Sequence, residues 1–182
     1  MIELYKKICI LFQKIFWSLE HQARSAGVDL GYDNFIASRF WGTEAYLIKI
    51  GDNCQITAGV KLFTHGGAGS IRKTHPAFDC FGKIIIGDYV YLGNNVLVMP
   101  GVEIGDNVLV ASGSIVTKSI PSNVVVGGNP AKYICSIEEY FERNKRFNLD
   151  SKLMSASQKR DLLCSLDDDK FIKKEWLIVP QK

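Results

Sequence analysis

The sequence predicts an all-β core: a parallel β-helix of six-residue repeats, with an α-helix before it and a helical extension after it. Aliphatic residues recur every six positions at Ile50, Ile56 and Leu62, and again at Ile86, Leu92, Val98, Ile104, Val110 and Val116. The 24 residues from Leu62 to Ile86 are four sixes, so an insertion there leaves the repeat in phase. Small residues follow the aliphatic position at Gly51, Gly87, Gly93, Gly105 and Ala111. A six-residue unit is too short for a helix and turn but suits one short strand and a corner, where Gly, Asp and Asn tolerate positive φ. Three such strands close one triangular coil, and coils stack about 4.8 Å apart through backbone hydrogen bonds. Each coil is stable only against its neighbours, so both ends need covering. A sandwich of alternating strands would instead show variable spacing, with turns every 8–12 residues or so.

Residues 2–23 read as an amphipathic helix, with Ile8, Leu11, Phe12, Ile15, Phe16 and Leu19 at helical spacing and Lys6, Lys7 and Lys14 between them. The lysines and the lack of a small-residue cleavage site speak against an integral membrane span or a secretory signal. Residues 1–26 are therefore expected to form an N-terminal helix that covers the first coil, packs on a neighbouring subunit, or contacts a membrane interface. The repeat domain occupies 27–135. Leu30 and Ile36 begin it, but Ile50 lies 14 residues after Ile36, two more than two sixes, so RFWGTEAYLIK holds an irregularity. Phe40, Trp41 and Tyr46 there read as packing residues. An inserted loop at 66–82, rich in glycine and carrying Arg72, Lys73 and Pro76, leaves a corner of the coil and has the length of a functional loop. Residues 83–121 give six clean repeats, and Pro121 and Pro130 punctuate their end. Residues 136–182 read as a helical extension, with helices near SIEEYFERNKRF and SASQKRDLLCSL and a final segment whose Phe171, Ile172, Trp176 and Leu177 suggest docking.

Composition narrows the function. The net charge of +3, from 22 basic and 19 acidic residues, carries no signal for nucleic acid. Five scattered cysteines without a C-x-x-C pair read as buried free thiols in a reducing, cytoplasmic setting. The adjacent Asp167, Asp168 and Asp169 read as a solvated turn, and no metal site is expected.

The runs IGDNCQITAGV and IGDYVYLGNNVLVMPGVEIGDNVLVASGSIVTKSIPSNVVVGGNPAKYI resemble the hexapeptide-repeat acyltransferases. GSIVTKSIPSN followed by GGNPAK resembles the branch that acetylates sugars, antibiotics and amino acids. The resemblance covers roughly residues 28–135. It implies a left-handed coil, although general rules favour right-handed parallel crossovers. It also implies acetyl-CoA as cosubstrate and a homotrimer with active sites between subunits.

Acyl transfer to a hydroxyl or amine needs a base for the acceptor, a site for the thioester carbonyl and a groove for the carrier. Histidine is the usual base near neutral pH, since its ordinary pKa is about 6.5. Of His21, His65 and His75, only His65 ends a repeat at the mouth of the inserted loop, which is where the family's catalytic histidine stands. Glu44, about one coil earlier, is either a solvated carboxylate or the group that orients the imidazole or an acceptor hydroxyl. His75 in the loop and Tyr91 in YLGNN are candidate acceptor-binding residues; Tyr91 stands where the family often has tryptophan. By the resemblance, the Gly93 region offers backbone N–H groups to the oxyanion. Gly93, Ala111, Ser112 and Gly113 match positions where the pantetheine arm approaches the backbone. Thr117, Lys118 and Lys132 match or neighbour positions that hold the nucleotide and its phosphates. No cysteine shows the paired base that a covalent acyl-enzyme requires.

The resemblance, with IEEYFERNK after GNPAK similar to sugar O-acetyltransferases, implies acetyl-CoA-dependent O-acetylation of a sugar or glycan precursor of a bacterial surface polysaccharide. A xenobiotic or amino-acid acceptor and a non-catalytic β-helix binding protein are the alternatives. A zinc hydratase on the same coil would need three metal ligands, and the histidine spacing lacks the pair such sites use.

Overall fold

The computed structural model describes residues 17–179. They divide into two compact units, one ending at Ile137 and the other beginning at Glu138. Most of the helix read at 2–23 lies outside the described residues. Its described part is α1 (Leu19–Ala26), capped by Ser18, whose side chain accepts from the His21 N–H, and ended by Gly27 at φ 107°.

The first unit is a three-faced coil of two- to five-residue strands. One face stacks β1 (Asp29–Leu30), β3 (Ile48–Ile50), β6 (Ile84–Ile86) and β9 (Glu103–Ile104). The second stacks β2 (Phe35–Ile36), β4 (Gln55–Ile56), β7 (Tyr91–Leu92), β10 (Leu109–Val110), β12 (Val124–Gly127) and β13 (Lys132–Ser136). The third holds β5 (Lys61–Leu62), β8 (Leu97–Val98) and β11 (Ile115–Val116). Every strand pair is parallel except β12–β13, an antiparallel turn-back with a bulge that finishes the second face. The inward aliphatics form columns: Ile50–Ile86–Ile104, Ile56–Leu92–Val110 and Leu62–Val98–Val116 pair in register, and all nine are buried. Hence the six-residue period: each flat of the triangle presents one side chain to the axis.

One corner explains the recurring Gly-Asp. The Asp52, Asp88 and Asp106 carboxylates accept from the N–H groups of Tyr32 (2.7 Å), Asp52 (2.8 Å) and Asp88 (2.8 Å), and the Ser122 hydroxyl accepts from that of Asp106 (2.9 Å). Each side chain thus ties its coil to the previous one. A Cβ at Gly51 or Gly87 would collide with the Asp88 or Asp106 carboxylate, so glycine is required where the ladder passes.

Both departures from the six-residue period have a physical seat. Ile50 and Ile86, paired across coils, are 36 residues apart, whereas Ile86 and Ile104 are 18 apart; the loop adds one coil length. The loop is not open chain. His65 and Phe81 form an antiparallel bridge at its base, the Gly82 N–H donates to the Thr64 carbonyl (2.8 Å), and Arg72 pairs with Asp79 (3.3 Å). The earlier irregularity appears as a 20-residue offset between Ile36 and Ile56, taken up beside a 3-10 turn at Ala45–Leu47.

Some expectations are corrected. Of the three aromatics in that segment, Trp41 is buried, but Phe40 and Tyr46 are exposed; Phe40 bridges to Lys61, whose ammonium lies 5.1 Å from its ring centroid. Cys54 and Cys135 are buried thiols, whereas Cys80 in the inserted loop and Cys164 in the extension are exposed. Burial pushes the Cys54 thiol up to about 11. The second unit contains α2 (Ile137–Asn144), which starts at its boundary, and α3 (Ala156–Ser165), closed by a capping box between Ser155 and Gln158. None of its described residues is buried. Phe171, Ile172, Trp176 and Leu177, read as docking residues, are exposed in the single chain, Trp176 to 95%.

Candidate active site

His65 follows the strand β5 by three residues, and the bridge to Phe81 fixes its backbone. Its ring meets the Phe81 ring edge-on at 5.8 Å. Glu44 approaches from the previous coil, at the start of the 3-10 turn that absorbs the two extra residues. The irregularity in the repeat is therefore what delivers the carboxylate. The Glu44 Oε2 and His65 Nδ1 are 2.6 Å apart. Two threonines complete the arrangement: Thr43 Oγ1 donates to Glu44 Oε1 (2.6 Å) and Thr64 Oγ1 donates to Oε2 (2.9 Å).

The electrostatics follow from these bonds. The Thr43 hydroxyl, against the opposing effect of burial, and then the Thr64 hydroxyl and the His65 ring hold the Glu44 carboxyl at about 2, below its ordinary 4.5. Glu44 is thus ionised across the physiological range and can only accept hydrogen bonds. The His65 proton of a neutral ring must then sit on Nδ1, which leaves the Nε2 lone pair as the basic one. The side chain of His65 is 43% exposed while that of Glu44 is 17% exposed, so the ring is reachable and its partner is sheltered.

A cavity of about 330 Å³ opens at the pair, between Thr43, Glu44 and His65 on one side and the loop residues Gly67, Arg72, Asp79 and Phe81 on the other. Threonines 43 and 64 and the loop pair Arg72–Asp79 escaped sequence reasoning. Thr64 stands beside the histidine in the sequence, but a threonine in a strand-rich chain carries no signal of its own.

The remaining candidates lie elsewhere on the coil. Gly93, Ala111, Ser112 and Gly113 share a corner of two successive coils: the Gly113 N–H donates to the Asn94 carbonyl (2.8 Å), and a Cβ on Gly93 would lie 2.6 Å from the Ser112 nitrogen. Thr117 and Lys118 are exposed just after β11, and Lys132 is exposed at the start of β13. Tyr91 lies on β7, between Gln55 and Leu109. His75 is exposed in the loop, its N–H bonded to the Ile71 carbonyl (3.0 Å). None of these lines the cavity at His65. Among the described residues, no three or more His, Cys, Asp or Glu gather as a metal group, and no helix is long and apolar enough to cross a membrane.

Comparison with known proteins bears on the family of the coil. The pattern described as bacterial transferase hexapeptide (six repeats) matches residues 83–118. Protein CapG of Staphylococcus aureus is 49% identical over 125 residues, 66% of this chain and 73% of CapG. The chain belongs to the hexapeptide-repeat acyltransferase family. Its class is that of an acetyl-CoA-dependent acetyltransferase. The galactoside O-acetyltransferase of Escherichia coli K12 is 41% identical over 96 residues, 52% of this chain but only 46% of that enzyme. Among solved structures, a hexapeptide-repeat acetyltransferase from Vibrio cholerae aligns with a TM-score of 0.53 at 25% identity, covering 63% of this chain and 77% of that one.

Proposed function

We propose that this acyltransferase moves an acetyl group from acetyl-CoA to a hydroxyl of a sugar or glycan precursor of a bacterial surface polysaccharide, with His65 as general base. The observation that carries the reading is the 2.6 Å Glu44–His65 contact at the mouth of a loop-lined cavity. The galactoside O-acetyltransferase relative supports a sugar hydroxyl as acceptor.

With Glu44 holding Nδ1, His65 Nε2 takes the acceptor's hydroxyl proton as the oxygen attacks the thioester carbonyl. Backbone N–H groups near Gly93 are the proposed donors to the developing oxyanion. The imidazolium then returns its proton to the departing thiolate, giving the acetyl ester and free CoA, so no acyl-enzyme is needed. Acetyl-CoA supplies the activated acetyl group. The corner of Gly93, Ala111, Ser112 and Gly113 would receive its pantetheine arm, with Thr117, Lys118 and Lys132 for its nucleotide and phosphates. Tyr91 would pack against the cofactor or acceptor and His75 would contact the acceptor across a subunit boundary, in a cytoplasmic homotrimer of left-handed coils. Sedimentation equilibrium is expected to give three times the chain mass of 20.3 kDa; a monomer would remove the shared-site part of this reading.

The reading as a whole is tested with His65→Ala. Its kcat for acetyl transfer to a panel of simple sugars is expected to fall by about 10²–10⁴, the worth of a positioned base, with CoA binding retained. Wild-type turnover in that variant would sink it.

A further inference from the structure

Four polar side chains are buried in the coil: Ser38, Thr57, Thr64 and Ser114. A buried hydroxyl must find an acceptor, because leaving it unpaired is costly. Three of the four solve this within the backbone: Ser38 donates to the Val60 carbonyl (2.5 Å), Thr57 to that of Leu92 (2.7 Å) and Ser114 to that of Ala111 (2.6 Å). Thr64, fully buried, instead gives its proton to a side chain, Glu44 Oε2, the oxygen that also faces His65 Nδ1. The residue is tied down on other sides too. Its carbonyl accepts from the Gly82 N–H where the loop returns, and Gly42, at φ +69°, passes so close that a Cβ there would sit 3.1 Å from the Thr64 hydroxyl.

We propose that Thr64 is a positioning residue for catalysis: its buried hydroxyl locks the Glu44 carboxylate in the orientation that selects the Nδ1–H form of His65. The inference rests on His65 acting as the base. Thr43 holds the other carboxylate oxygen, but its side chain is exposed, so water can replace it. No water can replace the hydroxyl of Thr64 without opening the core. Thr64 therefore fixes the carboxylate's rotation, and the carboxylate fixes the ring.

The test uses the full chain with ¹⁵N-labelled histidine and the variants Thr64→Val, Thr64→Ser and His65→Gln, the last to assign the His65 signals. Wild type and T64S are expected to show His65 protonated on Nδ1, with that proton shifted downfield by the short contact. In T64V the downfield proton is expected to disappear and the ring to populate both tautomers. With acetyl-CoA and methyl β-galactoside as probes, kcat is expected to fall on the order of tenfold in T64V, the worth of one hydrogen bond to a charged group. KM for acetyl-CoA should stay unchanged, and T64S should restore the rate. An unaltered Nδ1–H signal in folded T64V overturns the proposal. An altered tautomer with unaltered transfer upholds the clamp and overturns His65 as the base, so the two failures are distinguishable.

Discussion

An ionised carboxylate beside an imidazole decides which nitrogen carries the proton when the ring is neutral. Glu44 faces Nδ1 of His65, and it contributes from outside the histidine's own coil. Glu44→Gln keeps the side chain's shape but removes the charge. Its kcat is expected to drop, because an amide facing Nδ1 can donate as well as accept and no longer selects the Nδ1–H form of the ring. A kcat equal to that of wild type would show that the carboxylate has no part in the chemistry. The same group has a signature in stability. Its carboxyl is held at about 2 in the folded chain, against an ordinary 4.5. A depressed folded value means stability that is fully present above 4.5 and lost as the pH falls through 2. The difference in thermal midpoint between wild type and E44Q should therefore shrink across that window and vanish below it. The carboxylate was legible in the sequence only as an acidic residue in an irregular stretch about one coil before His65. The threonines were not legible, because a hydroxyl's partner is set by three-dimensional placement and not by spacing.

At the scale of the element, the repeat was readable because each flat of a triangular coil turns one side chain to the axis, which imprints a six-residue period on the chain. The corner ladder of Asp52, Asp88, Asp106 and Ser122 left only a recurring Gly-Asp in the sequence. Its partners are 16 to 36 residues apart, so no local pattern announces the bonds. The inserted loop is where the period makes its sharpest demand. Removing residues 66–83, 18 residues, would place Leu62 six positions before Ile86, the spacing that Val98 and Ile104 already have. The shortened chain is expected to unfold cooperatively, because the Ile50–Ile86 and Leu62–Val98 columns are kept. It should lose turnover, since Arg72, Asp79 and Phe81 leave the cavity while His65 stays. Circular dichroism melting together with an acetyl-transfer assay checks both halves. A chain that fails to fold would show that the loop helps hold the coil together at its base, through the Gly82–Thr64 and His65–Phe81 contacts.

At the scale of the whole molecule, the distribution of burial separates the residues that build the coil from the extension after it. Every buried residue among those described precedes Ile137. The last flat of the coil is finished by β13 folding back on β12, and the Ile137 N–H donates to the Asn123 carbonyl (3.0 Å). An open edge strand needs such cover, and here the chain supplies it before the second unit begins. The final segment suggests docking in the sequence because its apolar residues are too many for a free tail. In one chain they find no cover, with Trp176 95% and Leu177 89% exposed. Sequence spacing reports that side chains are apolar, not which surface receives them. A chain stopped after Ile137 loses no described core residue and is expected to melt cooperatively within about 4 °C of the full chain, the shift that roughly 1 kcal/mol makes in a domain of this size. If the exposed segment serves assembly, the truncated chain should sediment at a lower mass while its melting midpoint holds. A large fall in midpoint at unchanged mass would instead mean that residues after Ile137 support the coil of their own chain.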